Sequence, residues 1–399
     1  MSARGDPYYS IQTFEASVAG AAVAFCSKPG LPNWREVRPA EHLLAEHCAL
    51  PPGGRLLLLG CRHGALAAAL SGRLSASAFW ISDHSSIALD LCRRTLALKG
   101  DPAVRIVSPL EPEGVAPGSL DTALVQLPKG RDLARRWLLQ AHRALRPGGL
   151  LFLAGANDEG VQPAIRDGKE LFCGAAVLDY KKGSRIARFQ KPEAAAGAEP
   201  ALPAWAGQPG IAPGSWIEFI AHTPFGEFDL RSLPGVFSHD RLDPGSGLLL
   251  QVLARTPAAG RVLDLGCGTG VLGLAAARQG ARAADLVDDN LLAVLAAREN
   301  ARRLGLPQAR VLPGDGTAPV ENREYDLVLS NPPFHAGKGV DYRAAHAFIA
   351  GARRVLAPGG RLVLVANRFI RYDRLLREVF QQVESLEENS KFHVLAAGV

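Results

Sequence analysis

The chain has 399 residues, 47% of them hydrophobic and 21% charged, with a formal net charge of +6 and a pI near 9.1. That length exceeds the roughly 250 to 300 residues over which one hydrophobic core keeps growing, so two domains are expected. Apolar runs such as Leu56 to Leu59 and Leu150 to Leu153 fall far short of the ~20 residues a membrane span requires, and the early Asp6, Tyr8, Tyr9 and Glu15 do not make a secretory signal. A cytoplasmic protein with no membrane association is expected. The positive balance permits a polyanionic partner without requiring one. Cys26, Cys48, Cys61, Cys92, Cys173 and Cys267 lie far apart with no C-x-x-C pair; they read as reduced core residues, and no metal site is expected.

In chain order, the first apolar strand opens a repeat. Residues 56–70 read LLLLGCRHGALAAAL and residues 262–276 read VLDLGCGTGVLGLAA, an apolar strand, a Gly-Cys pair and an Ala-rich helix in both. Leu145-Arg146-Pro147-Gly148-Gly149 followed by LLFLAG returns as Leu356-Ala357-Pro358-Gly359-Gly360 followed by RLVLVAN. Each reads as a helix end, a Pro-Gly-Gly turn and a strand. Both halves alternate short apolar runs with Ala/Leu/Arg-rich helices, the pattern of βαβ units feeding a mostly parallel sheet. The expected fold class is therefore α/β, with two doubly wound, Rossmann-like domains in tandem. Residues 1–190 form the first, 191–214 a Pro/Ala/Gly-rich linker, and 215–399 the second. Trp216 to Leu230 predicts a β-hairpin with its turn near Pro224-Phe225-Gly226.

Open α/β sheets bind ligands beyond the carboxyl ends of their strands, where the first strand passes through a glycine turn into a helix. Gly266-Cys267-Gly268-Thr269-Gly270 supply that turn in the second half. Gly266, Gly268 and Gly270 let backbone approach a ligand, and the helix from Val271 leaves N–H groups facing it. Residues 268–273 also satisfy G-x-G-x-x-G, the dinucleotide fingerprint. Asp264 favours instead a cofactor with a cationic amine, because it would repel a pyrophosphate. S-adenosyl-L-methionine carries an ammonium and a sulfonium. Asp288 ends the next strand and is spaced to accept both ribose hydroxyls. Asp315, in Pro313-Gly314-Asp315-Gly316, can meet the adenine amino group. An isolated acid after a strand is ordinarily a solvated loop residue or a helix cap; three at successive strand ends, with glycines, favour a ligand.

Tyr325 to Ser330 predicts a buried strand that runs into Asn331-Pro332-Pro333-Phe334. Consecutive prolines hold the chain extended and remove two N–H donors, leaving carbonyls and the Asn331 amide to face outward. Methyl transfer to a planar amino group needs the nitrogen lone pair aimed at the methyl carbon. Asn331 Oδ1 and the Pro332 carbonyl would orient that nitrogen by accepting its two N–H bonds. Phe334 either packs on a flat base or belongs to the core. His335 and Lys338 either touch substrate or sit in a surface loop.

These residues, together with Leu233-Pro234-Gly235-Val236-Phe237-Ser238, Leu242-Asp243, Gly245-Ser246 and Val365-Ala366-Asn367, make the second half resemble the tandem-domain ribosomal RNA guanine-N2 methyltransferases. The first half resembles them more loosely, through Gln126-Leu127-Pro128-Lys129 and the segment from Gly155 to Gly160. The resemblance implies class I methyltransferase domains and N2 methylation of a guanosine in rRNA, with 16S rRNA of the 30S subunit as the expected target. It places Phe237 near the methionine end of the cofactor and Asn331 beside it. Through the repeat, Asp264 corresponds to Leu58, Gly268 to Arg62 and Asn331 to Gln126, so the first domain reads as degenerate and without cofactor. Its Arg131, Arg135, Arg136, Arg143, Lys181, Lys182, Arg185 and Arg188 suit phosphate contacts or solvated helix faces. Other acceptors for the same loop type are a protein glutamine, a 23S rRNA guanine and a DNA adenine. Outside enzymes, an RNA-binding ribosome-assembly factor is the alternative, with a nicotinamide oxidoreductase third. Tandem domains imitate a dimer, so a monomer is expected.

Overall fold

The computed structural model describes residues 7–74, 78–100, 104–109, 115–193, 201–256, 260–332 and 342–399. The chain divides into two compact units, one spanning 11–216 and the other 217–399 joined by the N-terminal residues up to Ser10. The first unit runs β1 (Gln12–Val18), β2 (Ala21–Ser27), α1 (Pro39–His47), β3 (Leu56–Leu59), α2 (Ala65–Ser71), β4 (Phe79–Ser82), α3 (Ser86–Leu98) and β5 (Arg105–Ile106). It continues with β6 (Leu120–Gln126), α4 (Arg131–Ala144), β7 (Leu145–Ala156), α5 (Val161–Phe172), β8 (Ala176–Lys181) and β9 (Ser184–Gln190). The second runs β10 (Ile217–Thr223), β11 (Gly226–Ser232), α6 (Pro244–Ala254), β12 (Arg261–Leu265), α7 (Val271–Gln279), β13 (Ala283–Asp288), α8 (Leu291–Arg303) and β14 (Ala309–Pro313). β15 (Tyr325–Ser330), α9 (Tyr342–Val355), β16 (Leu356–Asn367), α10 (Tyr372–Val379), β17 (Gln382–Glu388) and β18 (Phe392–Gly398) complete it.

Each unit holds one seven-stranded sheet, ordered β5-β4-β3-β6-β7-β9-β8 and β14-β13-β12-β15-β16-β18-β17. The two orders are the same, with parallel pairing throughout except at the last two strands of each row. This is the expected doubly wound α/β class, twice over. The hairpin expected from Trp216 is β10 paired with β11, closing between Thr223 and Gly226.

Alternation along β12 explains why the second sheet is covered on both faces. Successive side chains point to opposite sides of a strand. Val262 packs with Leu274 of α7 and Val294 of α8, whereas Leu263 and Leu265 pack with Ile349 of α9 and Leu376 of α10. A strand buried on both faces carries a continuous apolar run, which is why Leu56 to Leu59 read as they do, and why β12 is apolar on both sides of its one buried acid, Asp264. α6 begins where its sequence says it should: Asp243 is the N-cap and accepts the Ser246 N–H at 2.8 Å, with Pro244 in the first turn.

Two expectations are corrected. The Pro-Gly-Gly segments are not turns ahead of a strand; β7 and β16 run through them, and the pairing jumps from Leu120↔Leu145 to Thr122↔Leu150 and from Tyr325↔Leu356 to Leu327↔Arg361. The irregularity sits within the ladder as a bulge. The part of 191–214 from 201 onward lies within the first unit rather than between two units. Trp205 is buried, donates from Nε1 to Glu170 Oε2 at 3.0 Å and lies under the Arg135 guanidinium. Composition marked this segment as loose, but its few apolar side chains carry enough area to dock it.

The basic residues of the first unit are partly structural. Arg131 and Arg135 both hold the buried Asp167, at 2.7 and 3.1 Å, and buried Arg136 donates to the Gly210 carbonyl. Arg62, which stands where the second unit has Gly268, takes a left-handed φ of +48°. Its guanidinium donates to the fully buried Glu41 and to the carbonyls of Pro32 and Asn33. Burial acts to raise the Glu41 carboxyl, but Arg62 and His63 more than offset it and hold it below its usual range. Among the described residues no helix is long and apolar enough to cross a membrane.

Removing one partner of a buried ion pair strands the other charge, typically at a cost of about 3 to 5 kcal/mol. Arg62→Ala is therefore expected to lower the unfolding free energy of the first unit, read from urea titration of the full chain, by an amount in that range, while Arg94→Ala, at an exposed helical pair, leaves it within about 0.5 kcal/mol.

Candidate active site

β12 pairs in parallel with β13 on one side and β15 on the other, and β13 pairs in parallel with β14. The carboxyl ends of these four strands consequently share one edge. Past Leu265 the chain turns back on the sheet, and the N–H groups of Gly266 and Cys267 donate to the Val287 carbonyl at 2.9 and 3.0 Å. At Gly268 φ is +55°, and a Cβ built there would meet nothing within 4 Å. The backbone of the turn thus faces open space in a conformation that glycine adopts at low cost. The Gly268 N–H donates to Asp288 Oδ2 at 2.8 Å, and Asp288 Oδ1 accepts from the Asn290 N–H at 2.8 Å.

Asp264 is fully buried. Its Oδ2 accepts the Gly273 N–H at 2.8 Å, tying α7 to β12, and its Oδ1 has no hydrogen-bond partner among the described residues. Burial pushes this carboxyl up to about 7, with the Gly273 bond pulling down and Asp288 pushing further up. Burial likewise raises Asp288 to about 6, against the Gly268 and Asn290 N–H groups and with Asp289 adding repulsion. Two acids whose charge is poorly served, one with an unpartnered oxygen, suit a cationic ligand, which would draw both back to ionised form. Cys267 is buried behind them, its thiol raised by burial and then by Asp288 and Asp264. It is a packed side chain rather than a nucleophile.

The third acid joins through the backbone. The Gly314 N–H donates to the Asp288 carbonyl at 2.9 Å, which brings the 313–316 loop alongside the end of β13. Asp315 Oδ1 accepts from the Tyr8 hydroxyl at 3.1 Å. Tyr8 and Tyr9 pack edge to face at 5.0 Å in a short 3-10 helix, Pro7–Tyr9, and a Cβ at Gly316 would come within 2.5 Å of the Tyr9 hydroxyl. Nothing in the sequence signalled this contact, because it joins residues 307 apart and no pattern links them.

Asn331 follows the last residue of β15, whose Ser330 Oγ donates to the Leu265 carbonyl at 2.7 Å. Its Nδ2 donates to Asp243 Oδ2 and to Ser246 Oγ, each at 2.9 Å. Pro332 is buried. Pro333, Phe334, His335 and Lys338 lie outside the described residues. Phe237 is 66% exposed, and its loop is held to the β13 end by Asn290 Nδ2, which donates to the Gly235 carbonyl at 2.7 Å. The sequence marked Asp243 and Ser246 as a helix start but gave no reason to set them against Asn331.

In the first unit the equivalent edge is filled by protein. Asp83, at the position of Asp288, accepts from the N–H groups of Cys61, Arg62 and Ser85 and faces His84 at 3.3 Å. Leu58 replaces Asp264, and Arg62 stands in the turn with its guanidinium on Glu41 and on the Pro32 and Asn33 carbonyls. Among the described residues one surface group of this unit, Glu46 and His47 at the end of α1 with Asp179 of β8, could approach an ion. Lys181 on Glu46 at 2.9 Å and His47 on Asp179 at 3.1 Å already account for its contacts.

Comparison with known proteins agrees with this geometry. The family model described as Methyltransferase small domain matches residues 22–186 and again 227–396. A ribosomal RNA small subunit methyltransferase C from Stutzerimonas stutzeri is 36% identical over 291 residues, covering 71% of this chain and 81% of the relative. A ribosomal RNA large subunit methyltransferase G from Ectopseudomonas mendocina is 36% identical over 347 residues, covering 86% and 87%. Among solved structures, the 16S rRNA N2 G1207 methyltransferase (RsmC) of T. thermophilus, in complex with AdoMet and guanosine, superimposes over 100% of both chains. The TM-score is 0.80 and the identity 30%. With the same strand order twice, one glycine turn kept and one filled, the chain belongs to the methyltransferase small domain family, among its tandem-domain rRNA guanine-N2 methyltransferases.

Proposed function

We propose that this chain methylates N2 of a guanosine in ribosomal RNA, with 16S rRNA of the 30S subunit as the favoured acceptor, acting as a monomer in the cytoplasm. The observation that carries the reading is the amide of Asn331 at the end of β15, tied through Ser330 to the glycine turn of β12. The T. thermophilus neighbour, bound to AdoMet and guanosine, supports both ligands.

S-adenosylmethionine, when bound, supplies an electrophilic methyl carbon. Asp264 would meet its ammonium, Asp288 its ribose hydroxyls and Asp315 its adenine amine, with backbone of Gly266, Cys267, Gly268, Gly270 and Gly316 lining the path and Phe237 closing the methionine end. The target guanosine must leave its stack to reach this edge. Asn331 Oδ1 and the Pro332 carbonyl would accept its two N2–H bonds, with Pro333 holding the loop and Phe334 packing on the base. N2 would use its lone pair to form the new C–N bond as the methyl carbon's bond to sulfur breaks, the electron pair leaving with S-adenosylhomocysteine, and the cationic nitrogen would then release a proton to solvent; a nitrogen that acidic needs no strong base. The first unit, with Leu58 in place of Asp264 and Arg62 in place of Gly268, would position RNA and add stability.

Large-subunit rRNA is the second reading, favoured by the longer match to the E. mendocina relative. Incubation with methyl-labelled S-adenosylmethionine and, separately, 30S subunits, 50S subunits and naked rRNA, followed by digestion to nucleosides, separates them. Label in N2-methylguanosine from 30S or 16S material is expected; label only in 50S or 23S material selects the second reading. No label in any RNA, with cofactor bound, overturns both.

Asn331→Ala is expected to cut turnover by about a thousandfold, the upper range for losing one transition-state hydrogen bond, with cofactor affinity unchanged by calorimetry. Asp288→Ala should instead weaken cofactor binding by about 10- to 100-fold. Cofactor affinity should also depend on pH. The raised values near 7 for Asp264 and 6 for Asp288 mean the empty site holds protons that the cation displaces. Affinity therefore rises as pH climbs through 6 to 7 and levels off above, with proton release visible in buffers of different ionisation enthalpy. A flat profile across that window would count against the assignment of these acids.

A further inference from the structure

We propose that Asp243 and Ser246 are positioning residues for the methyl-accepting nitrogen, holding Asn331 in the one amide orientation that turns Oδ1 toward substrate. The proposal rests on the reading of Asn331 given above. A primary amide has two orientations of nearly equal shape, one presenting an acceptor and the other a donor. An exocyclic amine offers two N–H donors, so only the acceptor orientation can hold it.

The surroundings select that orientation. Asp243 Oδ2 already accepts the Ser246 N–H at 2.8 Å as the cap of α6, and as a carboxylate oxygen it can only accept. An Asn331 Oδ1 turned to face it would set oxygen against oxygen at the 2.9 Å separation that Nδ2 now occupies. Nδ2 spends its two hydrogens on Asp243 Oδ2 and Ser246 Oγ, and Ser246 is buried. The amide is therefore locked on its nitrogen side, with Oδ1 as its remaining polar atom.

The internal repeat separates this role from simple helix capping. α1 and α6 both begin with proline at their first position. By that register Asp243 corresponds to Arg38, Ser246 to Glu41 and Asn331 to Gln126. All three changed in the unit that filled its glycine turn. The helix start itself survived the change, because the Arg38 N–H donates to Glu41 Oε2 at 2.9 Å. What was lost is the hold on the amide. Gln126 is buried, and neither its Nε2 nor its Oε1 has a hydrogen-bond partner among the described residues. A cap alone did not require Asp and Ser at these positions.

The test uses the full chain and the RNA acceptor identified by labelling. Asp243→Ser keeps an N-cap acceptor for the Ser246 N–H, but its hydroxyl can donate as well as accept and no longer selects the nitrogen side of Asn331; kcat is expected to fall about 10- to 100-fold, the scale of a small misplacement at the reacting atom. KM and Kd for S-adenosylmethionine and the melting temperature should stay unchanged. Ser246→Ala, which leaves the Asp243 cap in place, should lower kcat by about tenfold, one lost hydrogen bond. Asn331→Asp alone sets two carboxylates together and should lose activity more steeply at high pH than at low. Combining it with Asp243→Ser sets a hydroxyl donor against the new carboxylate while the cap is kept, and should recover at least about tenfold over Asn331→Asp. Wild-type kcat in both Asp243→Ser and Ser246→Ala, or a double variant no better than Asn331→Asp although folded and cofactor-bound, overturns the proposal while leaving Asn331 in its role. Full turnover in Asn331→Ala removes the functional reading as well.

Discussion

Parallel pairing of β12 with both β13 and β15 is the constraint on which the candidate site depends. In a parallel sheet every strand delivers its carboxyl end to the same edge, so residues tens of positions apart meet without any local signal that they should. Asp264 lies inside β12, Asp288 closes β13, the Asp315 loop follows β14 and Asn331 follows β15. Short hydrogen bonds then fix the strand ends against one another: backbone N–H groups of Gly266 and Cys267 on Val287 and of Gly314 on Asp288, and the Ser330 hydroxyl on Leu265. A slip of one residue in any of these ladders would turn each side chain to the opposite face.

Electrostatics at that edge follows from burial rather than from any strong partner. Asp264 and Asp288 are raised because the fold surrounds them with apolar sheet and helix and gives them only backbone N–H groups. The contrast with Asp83 is instructive. It too is buried, but His84 and three backbone N–H groups keep its carboxyl below the usual range. One unit satisfies its strand-end acid internally; the other leaves its acids short of positive charge.

Duplication explains the rest of the molecule economically. Both units keep the strand order, the Gly-Cys step and the bulged strand. They differ where an arginine side chain fills one glycine turn and donates to Glu41 beneath it. A filled turn needs no ligand to be stable, and its left-handed arginine is a strained conformation that the surrounding ion pair and carbonyls hold in place.

By itself the sequence determined the α/β class, the duplication, the hairpin at Thr223 to Gly226 and the order of the glycine turn, the acids and Asn331 along the chain. These follow from local periodicity and from glycine, proline and acid positions, which a linear reading can register. Tertiary structure alone decided three things: that Tyr8 reaches Asp315, that Asp243 and Ser246 hold the Asn331 amide, and that Arg131, Arg135 and Arg136 serve the first unit's own packing. The same is true of the segment around Trp205, which composition alone marked as a linker. Each depends on contacts across tens to hundreds of residues, set by sheet register and by which buried group finds which partner, and no spacing within the chain encodes them.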